Sequence, residues 1–193
     1  MAKILVVRTT TLFPDGIWEG FREATQEEAL KIIDANREYI EREQAEVDES
    51  YQQIIPQIIL KVGNKVLIHK IPVTGSEGRL HEMWPIFLGG HVEKTDKDIS
   101  RATQREFEEE IKYKGKIIRR EFLGLVKRHD VPVNRVHVGL VWLFEGDSEE
   151  FKPTKDKGIA EGRFVSISEL AAYLDKMTYW SQTVTPYLMK RFS

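Results

Sequence analysis

Cysteine is absent from this chain of 193 residues. Its absence excludes disulfide bonds, thiolate metal sites and cysteine nucleophiles, and it fits a protein of the reducing cytoplasm. The sequence also lacks a long apolar run and a charged-then-apolar start, so we expect neither a membrane span nor a secretory signal. These absences favour a globular, cytoplasmic protein.

An excess of charge of either sign is also missing. Lys and Arg number 29, Asp and Glu number 31, and the formal net charge is −2 with both signs interspersed. Without a long basic tract, we expect neither a nucleic-acid polymer nor a membrane surface as a partner. At 193 residues, the chain is long enough for one domain with a substantial core and an added segment, and its 41% of hydrophobic residues is typical of a globular protein.

The hydrophobic pattern predicts both strands and helices. A first strand covers Ala2 to Thr10, and Gln26 to about Glu46 has the spacing of an amphipathic helix that rests on the core. Two apolar runs around Gly63-Asn64 predict a β-hairpin. The remaining predicted elements are a helix over Ser100 to about Tyr113, strands at Lys116 to Val126, Arg135 to Glu145 and Arg163 to Ser166, and helices over Leu170 to Met177 and Thr178 to Phe192. This order predicts a mixed β-sheet with helices packed on its faces.

The stretch from Leu88 to Ile111 combines a double glycine with closely spaced glutamates. It reads LGGHVEKTDKDISRATQREFEEEI. On a helical wheel at about 100° per residue, Ala102 and Phe107 mark the side that faces the protein. Glu106 and Glu110 fall on this same side. The wheel therefore predicts that Glu106 and Glu110 face the protein, whereas the carboxylates of a solvated acidic face would point into solvent.

Of the other two glutamates in this stretch of the helix, Glu109 belongs with the inward carboxylates and Glu108 does not. Glu109 lies at the edge of the apolar side, so Glu106, Glu109 and Glu110 converge on one patch, whereas Glu108 faces solvent. Carboxylates this close repel one another unless a cation lies among them. Oxygen ligands without cysteine suit Mg²⁺, with Mn²⁺ as a substitute, rather than Zn²⁺. We therefore predict a Mg²⁺ site, and Gly89-Gly90 would let backbone approach a substrate at one wall of it.

This stretch resembles the signature of the Nudix hydrolases. That signature runs Gly, five residues, Glu, seven residues, Arg-Glu, an apolar residue, any residue, Glu-Glu, any residue, Gly and an apolar residue. Here Gly90 fills the first position, Arg105-Glu106-Phe107 the central one and Glu109-Glu110 the paired carboxylates. The segments IIPQIIL, EGRL, GGHVE and RVHVGLVW further resemble a Nudix branch of predicted phosphoesterases with an amino-terminal extension.

The sequence departs from the signature at two places. The spacing between the first glycine and the arginine is one residue longer, so the loop acid stays open between Asp96 and Asp98, neither of which is the usual Glu. Lys112 replaces the glycine that follows the carboxylate pair, and Gly115 is the expected helix stop. The three inward carboxylates remain intact.

The resemblance implies an α/β/α sandwich around a mixed β-sheet. Residues 1–50 would be a strand-helix extension packed on a catalytic domain formed by residues 51–193. It also implies hydrolysis of a diphosphate linkage in a small, nucleotide-derived substrate, through attack of metal-activated water at phosphorus. Glu106, Glu109 and Glu110 would hold the Mg²⁺, and a homodimer is compatible with the resemblance.

Two charged residues complete the catalytic set that the resemblance implies. Arg105 would fix the loop or a glutamate through charge-assisted hydrogen bonds. Glu161 stands where many relatives have an acid that acts as a base or a metal ligand, although a solvated loop glutamate fits it equally well.

Other candidate residues rest on their type and position alone. Arg79 suits a substrate phosphate, with an ion pair to Glu77 as the alternative. His91, beside the glycines, is a candidate for phosphate contact or for a supporting hydrogen bond. His137 lies in an apolar strand, which is more typical of a core histidine than of a ligand.

Two alternative functions share the same fold. A binding module would recognise a nucleotide without cleaving it, but a complete carboxylate set favours an enzyme. An isoprenoid-diphosphate isomerase relies on a cysteine, which this chain lacks. The sequence therefore favours a hydrolase.

Overall fold

Strands and helices alternate along the chain. A computed structural model describes residues 3–71, 83–154, 159 and 161–192. The strands are β1 (Lys3–Arg8), β2 (Gly20–Glu23), β3 (Glu38–Glu41), β4 (Tyr51–Val62), β5 (Lys65–Lys70), β6 (Leu88–Gly89), β7 (Ile111–Tyr113), β8 (Ile117–Lys127), β9 (His137–Gly146), β10 (Phe151–Pro153) and β11 (Glu161–Ser166). The helices are α1 (Thr9–Leu12), α2 (Gln26–Ala35), α3 (Arg42–Ala45), α4 (Ile99–Glu110), α5 (Pro132–Arg135) and α6 (Tyr179–Phe192), with 3₁₀ helices at Lys94–Asp96 and Ile167–Lys176. Within these ranges, no helix is both long enough and apolar enough to cross a membrane.

Hydrogen bonding joins the described strands in the order β11-β5-β4-β9-β8-β2. Strand β1 pairs with β3 and β4, β6 pairs with β4, and β10 pairs with β7 in a separate ladder. The predicted hairpin is confirmed, because Val62 pairs with Lys65 and leaves Gly63 and Asn64 as the turn. Gly63 has a φ of 57°, a conformation that glycine adopts without steric cost. The predicted combination of a mixed β-sheet with helices is confirmed.

The chain divides into two compact units, each assembled from separate segments. The first comprises Met1–Gln57, Gly90–Gln104 and Phe122–Trp142, and the second comprises Ile58–Gly89, Arg105–Glu121 and Leu143–Ser193. In the first unit, a buried cluster joins residues of β1, α3 and β4: Ile4, Val6, Ala45 and Tyr51, with Ile40 packed against it. In the second unit, Phe107 of α4 packs on Phe144 of β9, with ring centroids 5.3 Å apart.

The predicted helix from Gln26 to Glu46 is wrong in its second half. Helix α2 begins as expected, because Thr25 and Glu28 form a capping box, but it stops after 10 residues. The chain then forms β3, which pairs antiparallel with β1 and places Ile40 opposite Ile4. Pairing with a strand far away in the sequence thus overrides the helical period of this segment.

A buried lysine ties together three segments of the first unit. The Nζ atom of Lys127 in β8 lies 2.6 Å from Gln52 Oε1 and 2.8, 2.9 and 3.0 Å from the carbonyl oxygens of Asn134, Arg135 and His137. Burial lowers the pKa of Lys127 to about 8. The surrounding oxygen atoms replace the water that the ammonium group loses, and they hold the start of β9 in place.

In the second unit, His69 of β5 is buried as a neutral imidazole. Its Nε2 donates a hydrogen bond to the carbonyl oxygen of Phe87 at 2.8 Å. Burial lowers the pKa of His69 from 6.5 to about 4, because the charged imidazole would lose its hydration. The histidine therefore remains uncharged in the folded protein at neutral pH.

We expect acid to destabilise the protein through His69. The unfolded chain binds a proton near pH 6.5 and the folded chain only near pH 4, so the free energy of unfolding falls as the pH drops through this window. Between pH 7 and pH 5 the loss from this group is about 2 kcal/mol. The measurement is urea unfolding at both pH values for the wild type and for His69→Gln, whose amide can still donate to the carbonyl group. The wild type should lose about 2 kcal/mol more than the variant, and an equal loss in both proteins would contradict the assignment.

Candidate functional site

Helix α4 orients its glutamates as the helical wheel predicts. Glu106 and Glu110 are buried, with 3% and 9% of their surface exposed. Glu109 is half-buried, and Glu108 is exposed. Phe107, which is also buried, lies next to the inward carboxylates in sequence. The predicted inward orientation of Glu106 and Glu110 is therefore confirmed.

Both candidate loop acids take part in local hydrogen bonds before and at the start of α4. Asp98 Oδ1 accepts a hydrogen bond from the Arg101 backbone N–H at 2.7 Å, which caps the helix. Asp96 Oδ2 accepts one from the Glu93 backbone N–H at 2.7 Å. Between the two acids, Lys97 adopts a φ of 66°, which is uncommon for a residue with a side chain. The backbone therefore turns sharply at Lys97, between the two acids.

Helix α4 ends at Glu110, so the predictions that it extends to Tyr113 and stops near Gly115 are wrong. The next three residues form β7 and pair with β10 instead. Thr154, directly after β10, donates its backbone N–H to the Glu110 carbonyl oxygen at 3.0 Å. Its hydroxyl group donates to the carbonyl oxygens of Glu109 and Glu110. These bonds satisfy helix-terminal carbonyl groups that a longer helix would have paired internally.

Hydrogen bonds hold each of the three inward carboxylates. Arg105 Nη1 lies 2.6 Å from Glu106 Oε1 and 3.2 Å from Glu109 Oε2. The backbone N–H of Gly89 donates to Glu110 Oε1 at 3.1 Å. Among these residues, the guanidinium of Arg105 offsets one of the three negative charges. The atoms available to bind a metal ion are carboxylate oxygens. Such a set fits a hard divalent cation of the Mg²⁺ type.

The remaining predicted site residues are Glu161, Arg79, Gly90 and His91. Glu161 is exposed at the start of β11. Arg79 lies outside the described residues. Gly90 and His91 belong to the first unit, where His91 Nε2 lies 2.7 Å from Gln53 Oε1.

Sequence reasoning did not identify Thr154. The residue follows a short strand in a polar segment, and no local pattern distinguishes it from other loop threonines. Its role depends on the pairing of β7 with β10, two strands that lie far apart in the sequence.

The chain matches a known protein family and resembles two known proteins over most of its length. A family model described as the NUDIX domain matches residues 57–188. Protein YmaB of Bacillus subtilis (strain 168) is 28% identical over 173 residues, which cover 83% of this chain and 82% of that protein. The crystal structure of Tm1382, described as a candidate Nudix hydrolase, superposes with a TM-score of 0.83 and 30% identity over 98% of this chain and 99% of that chain.

A more distant structure shares the fold alone. It is a bifunctional NMN adenylyltransferase/ADP ribose pyrophosphatase from Francisella tularensis, solved with AMP and a Mn ion. Its TM-score is 0.55 at 16% identity, over 74% of this chain and 42% of that chain. Together with the match to Tm1382, it confirms the predicted fold class.

We expect Arg105→Gln to destabilise the protein, because the substitution removes a charged partner from the buried Glu106 carboxylate. A charge-assisted hydrogen bond of this kind contributes about 1.5–3 kcal/mol. The matched control is Arg101→Gln, which changes an exposed arginine one turn earlier in α4. Chemical denaturation in the absence of divalent ions measures both free energies of unfolding, and equal stability of the two variants would contradict the assignment.

Proposed function

Because the chain belongs to the NUDIX domain family, we propose that it uses the acidic end of α4 to hydrolyse a diphosphate linkage in a small, nucleotide-derived molecule. The chain is a phosphohydrolase of phosphoric anhydrides, as its family and its similarity to Tm1382 indicate. The proposal adds the substrate class, a requirement for Mg²⁺ with Mn²⁺ as a substitute, and a cytoplasmic location. The absence of cysteine supports that location.

The observation that carries the proposal is the burial of Glu106 and Glu110 on the helix that exposes Glu108. Burying carboxylates is costly unless a cation or hydrogen-bond donors compensate them. Arg105 holds Glu106 and Glu109, and the Gly89 N–H holds Glu110. These contacts pre-orient three carboxylates as ligands for Mg²⁺. When bound, Mg²⁺ offsets the charge of a diphosphate and lowers the pKa of a water molecule.

In the proposed reaction, a water oxygen bonds to one phosphorus atom while the bond from that phosphorus to the bridging oxygen breaks. The departing phosphate keeps the bridging oxygen, and the water gives up a proton. We assign Glu161, exposed at the start of β11, as the candidate base or further metal ligand. We assign Arg79, Gly89 and Gly90 to the substrate, and to His91 the supporting hydrogen bond that it forms with Gln53 Oε1. AMP and Mn in the Francisella tularensis structure support a nucleotide-derived substrate and a divalent ion.

The proposal extends to the organisation of the chain. Residues 1–50 would be an extension of a catalytic domain formed by residues 51–193, and the start of the family match at residue 57 supports a boundary in this region. A homodimer is compatible with this arrangement.

We expect Glu110→Gln to lower kcat by on the order of 100-fold or more, because an amide cannot supply the negative charge that binds the metal. The matched control is Glu108→Gln, which makes the same chemical change at an exposed position of the same helix. The assay measures phosphate release from a panel of nucleoside diphosphate derivatives with Mg²⁺, Mn²⁺ or a chelator. Activity should require the divalent ion and remain near the wild-type value in the control.

Two results would argue against this function. Normal turnover in a folded Glu110→Gln variant would show that the Glu110 carboxylate is not needed for the reaction. A ligand that raises the melting temperature across all metals, but is never cleaved, would favour the nucleotide-binding module over the hydrolase.

A further inference from the structure

Three potential metal ligands from distant parts of the sequence converge in the first unit. Glu46, His91 and His137 each offer one ligand atom, and these atoms all lie within 4.8 Å of one another. The two imidazole rings have centroids 5.7 Å apart and are tilted by 58°. The cluster shares no residue with the glutamates of α4.

Strands β1 and β4 bring these residues together. Pairing of β1 with β3 carries α3, and with it Glu46 at the end of α3, to one edge of β1. The segment after His91 follows β1 as well, since the Leu5 N–H donates to the Val92 carbonyl oxygen at 2.8 Å. In β4, the Gln53 N–H donates to the carbonyl oxygen that precedes His137, at 2.7 Å. The convergence is therefore built into the sheet.

Each histidine uses one ring nitrogen for a hydrogen bond to an oxygen atom of the protein. His137 Nδ1 bonds to the carbonyl oxygen of Val133, and His91 Nε2 bonds to Gln53 Oε1 at 2.7 Å. Because these oxygens only accept, the bonded nitrogens carry the protons. In the neutral form of each ring, the lone pair therefore lies on His137 Nε2 and on His91 Nδ1. Metal-binding histidines are typically oriented by such a bond from their other nitrogen.

The surroundings hold both the carboxylate and the second histidine. Glu46 is half-buried, and its Oε1 accepts a hydrogen bond from Arg42 Nε at 3.2 Å, which orients the carboxylate. His137 is buried, and its carbonyl oxygen accepts a hydrogen bond from Lys127 Nζ at 3.0 Å. A ligand set fixed in this way loses little side-chain entropy when it binds an ion.

We propose that Glu46, His91 and His137 form a binding site for a transition-metal ion of the Zn²⁺ class. Two imidazole nitrogens and one carboxylate oxygen are donors that suit Zn²⁺ and similar ions better than Mg²⁺. Zn²⁺ binds such donors at about 2.0–2.1 Å, which puts tetrahedral ligand atoms about 3.4 Å apart. The ligand atoms, which lie within 4.8 Å of one another, would close by up to about 1.4 Å on binding, and the fourth position would take water or another ligand. This site does not depend on the proposed hydrolase activity.

The first test compares Zn²⁺ affinities. The full chain is stripped with a chelator, and Zn²⁺ binding is measured by competition with a chromogenic chelator in a Glu110→Gln background, which disables the proposed Mg²⁺ site. Glu46→Gln and His91→Asn should each weaken Zn²⁺ binding at least tenfold. The matched controls are Glu43→Gln, an exposed glutamate of α3, and His129→Asn, a half-buried histidine outside the cluster. Both controls should bind Zn²⁺ as the parent does, and thermal melts establish that all variants fold.

The second test identifies the ligands through Co²⁺, which replaces Zn²⁺ and absorbs visible light according to its ligands. The parent should give a one-to-one complex whose visible spectrum changes in His91→Asn but not in His129→Asn. Equal Zn²⁺ affinity in the cluster variants and their controls would overturn the proposal. An unchanged Co²⁺ spectrum in His91→Asn would also overturn it. Hydrolase activity is measured separately, so failure of one proposal remains distinguishable from failure of the other.

Discussion

The candidate site depends on where helix α4 ends, and hydrogen bonds from Thr154 to the last carbonyl groups of the helix fix that end. They end the helix at Glu110, where the chain turns into β7 and pairs with β10. With the helix end fixed, the Glu110 carboxylate meets the Gly89 N–H, and Arg105 bridges Glu106 and Glu109. Repulsion among the three carboxylates is thus resisted by backbone pairing and by one guanidinium, so the proposed ligands are held in place without a bound ion.

The local features of this arrangement could be predicted from the sequence. A helical wheel separates Glu108 from Glu106 and Glu110, because the direction of a side chain within one helix depends only on the rotation per residue. The start of α2 at Thr25 and the turn at Gly63-Asn64 are equally local, since each depends on a few neighbouring residues. Where the controlling interaction spans only a few residues, the pattern and the structure agree.

The features that the sequence did not reveal depend on pairing between distant segments. The residues of β3 have an acceptable helical period, yet they form a strand because β1 is available to pair with them. The end of α4 depends on Thr154, which is brought to the helix by the pairing of β10 with β7. The residues of the helix itself therefore do not indicate where it ends. His137 lies in an apolar strand and is buried, as expected of a core histidine. Only the folded chain shows that His91 and Glu46 lie beside it.

A chain without cysteine has no thiolate donor, so its oxygen and nitrogen donors largely decide which metal ions it binds. The carboxylates of α4 are hard ligands, and the positive charge of Arg105 among them lowers their attraction for any cation. The cluster of Glu46, His91 and His137 contains two imidazoles, which bind Zn²⁺-class ions more strongly than Mg²⁺. Most protein sites bind transition-metal ions more tightly than Mg²⁺, so these ions compete for a Mg²⁺ site. The competition is weaker when the transition-metal ions have better ligands elsewhere in the chain. The two proposed sites are therefore compatible within one chain, because their donor atoms favour different ions.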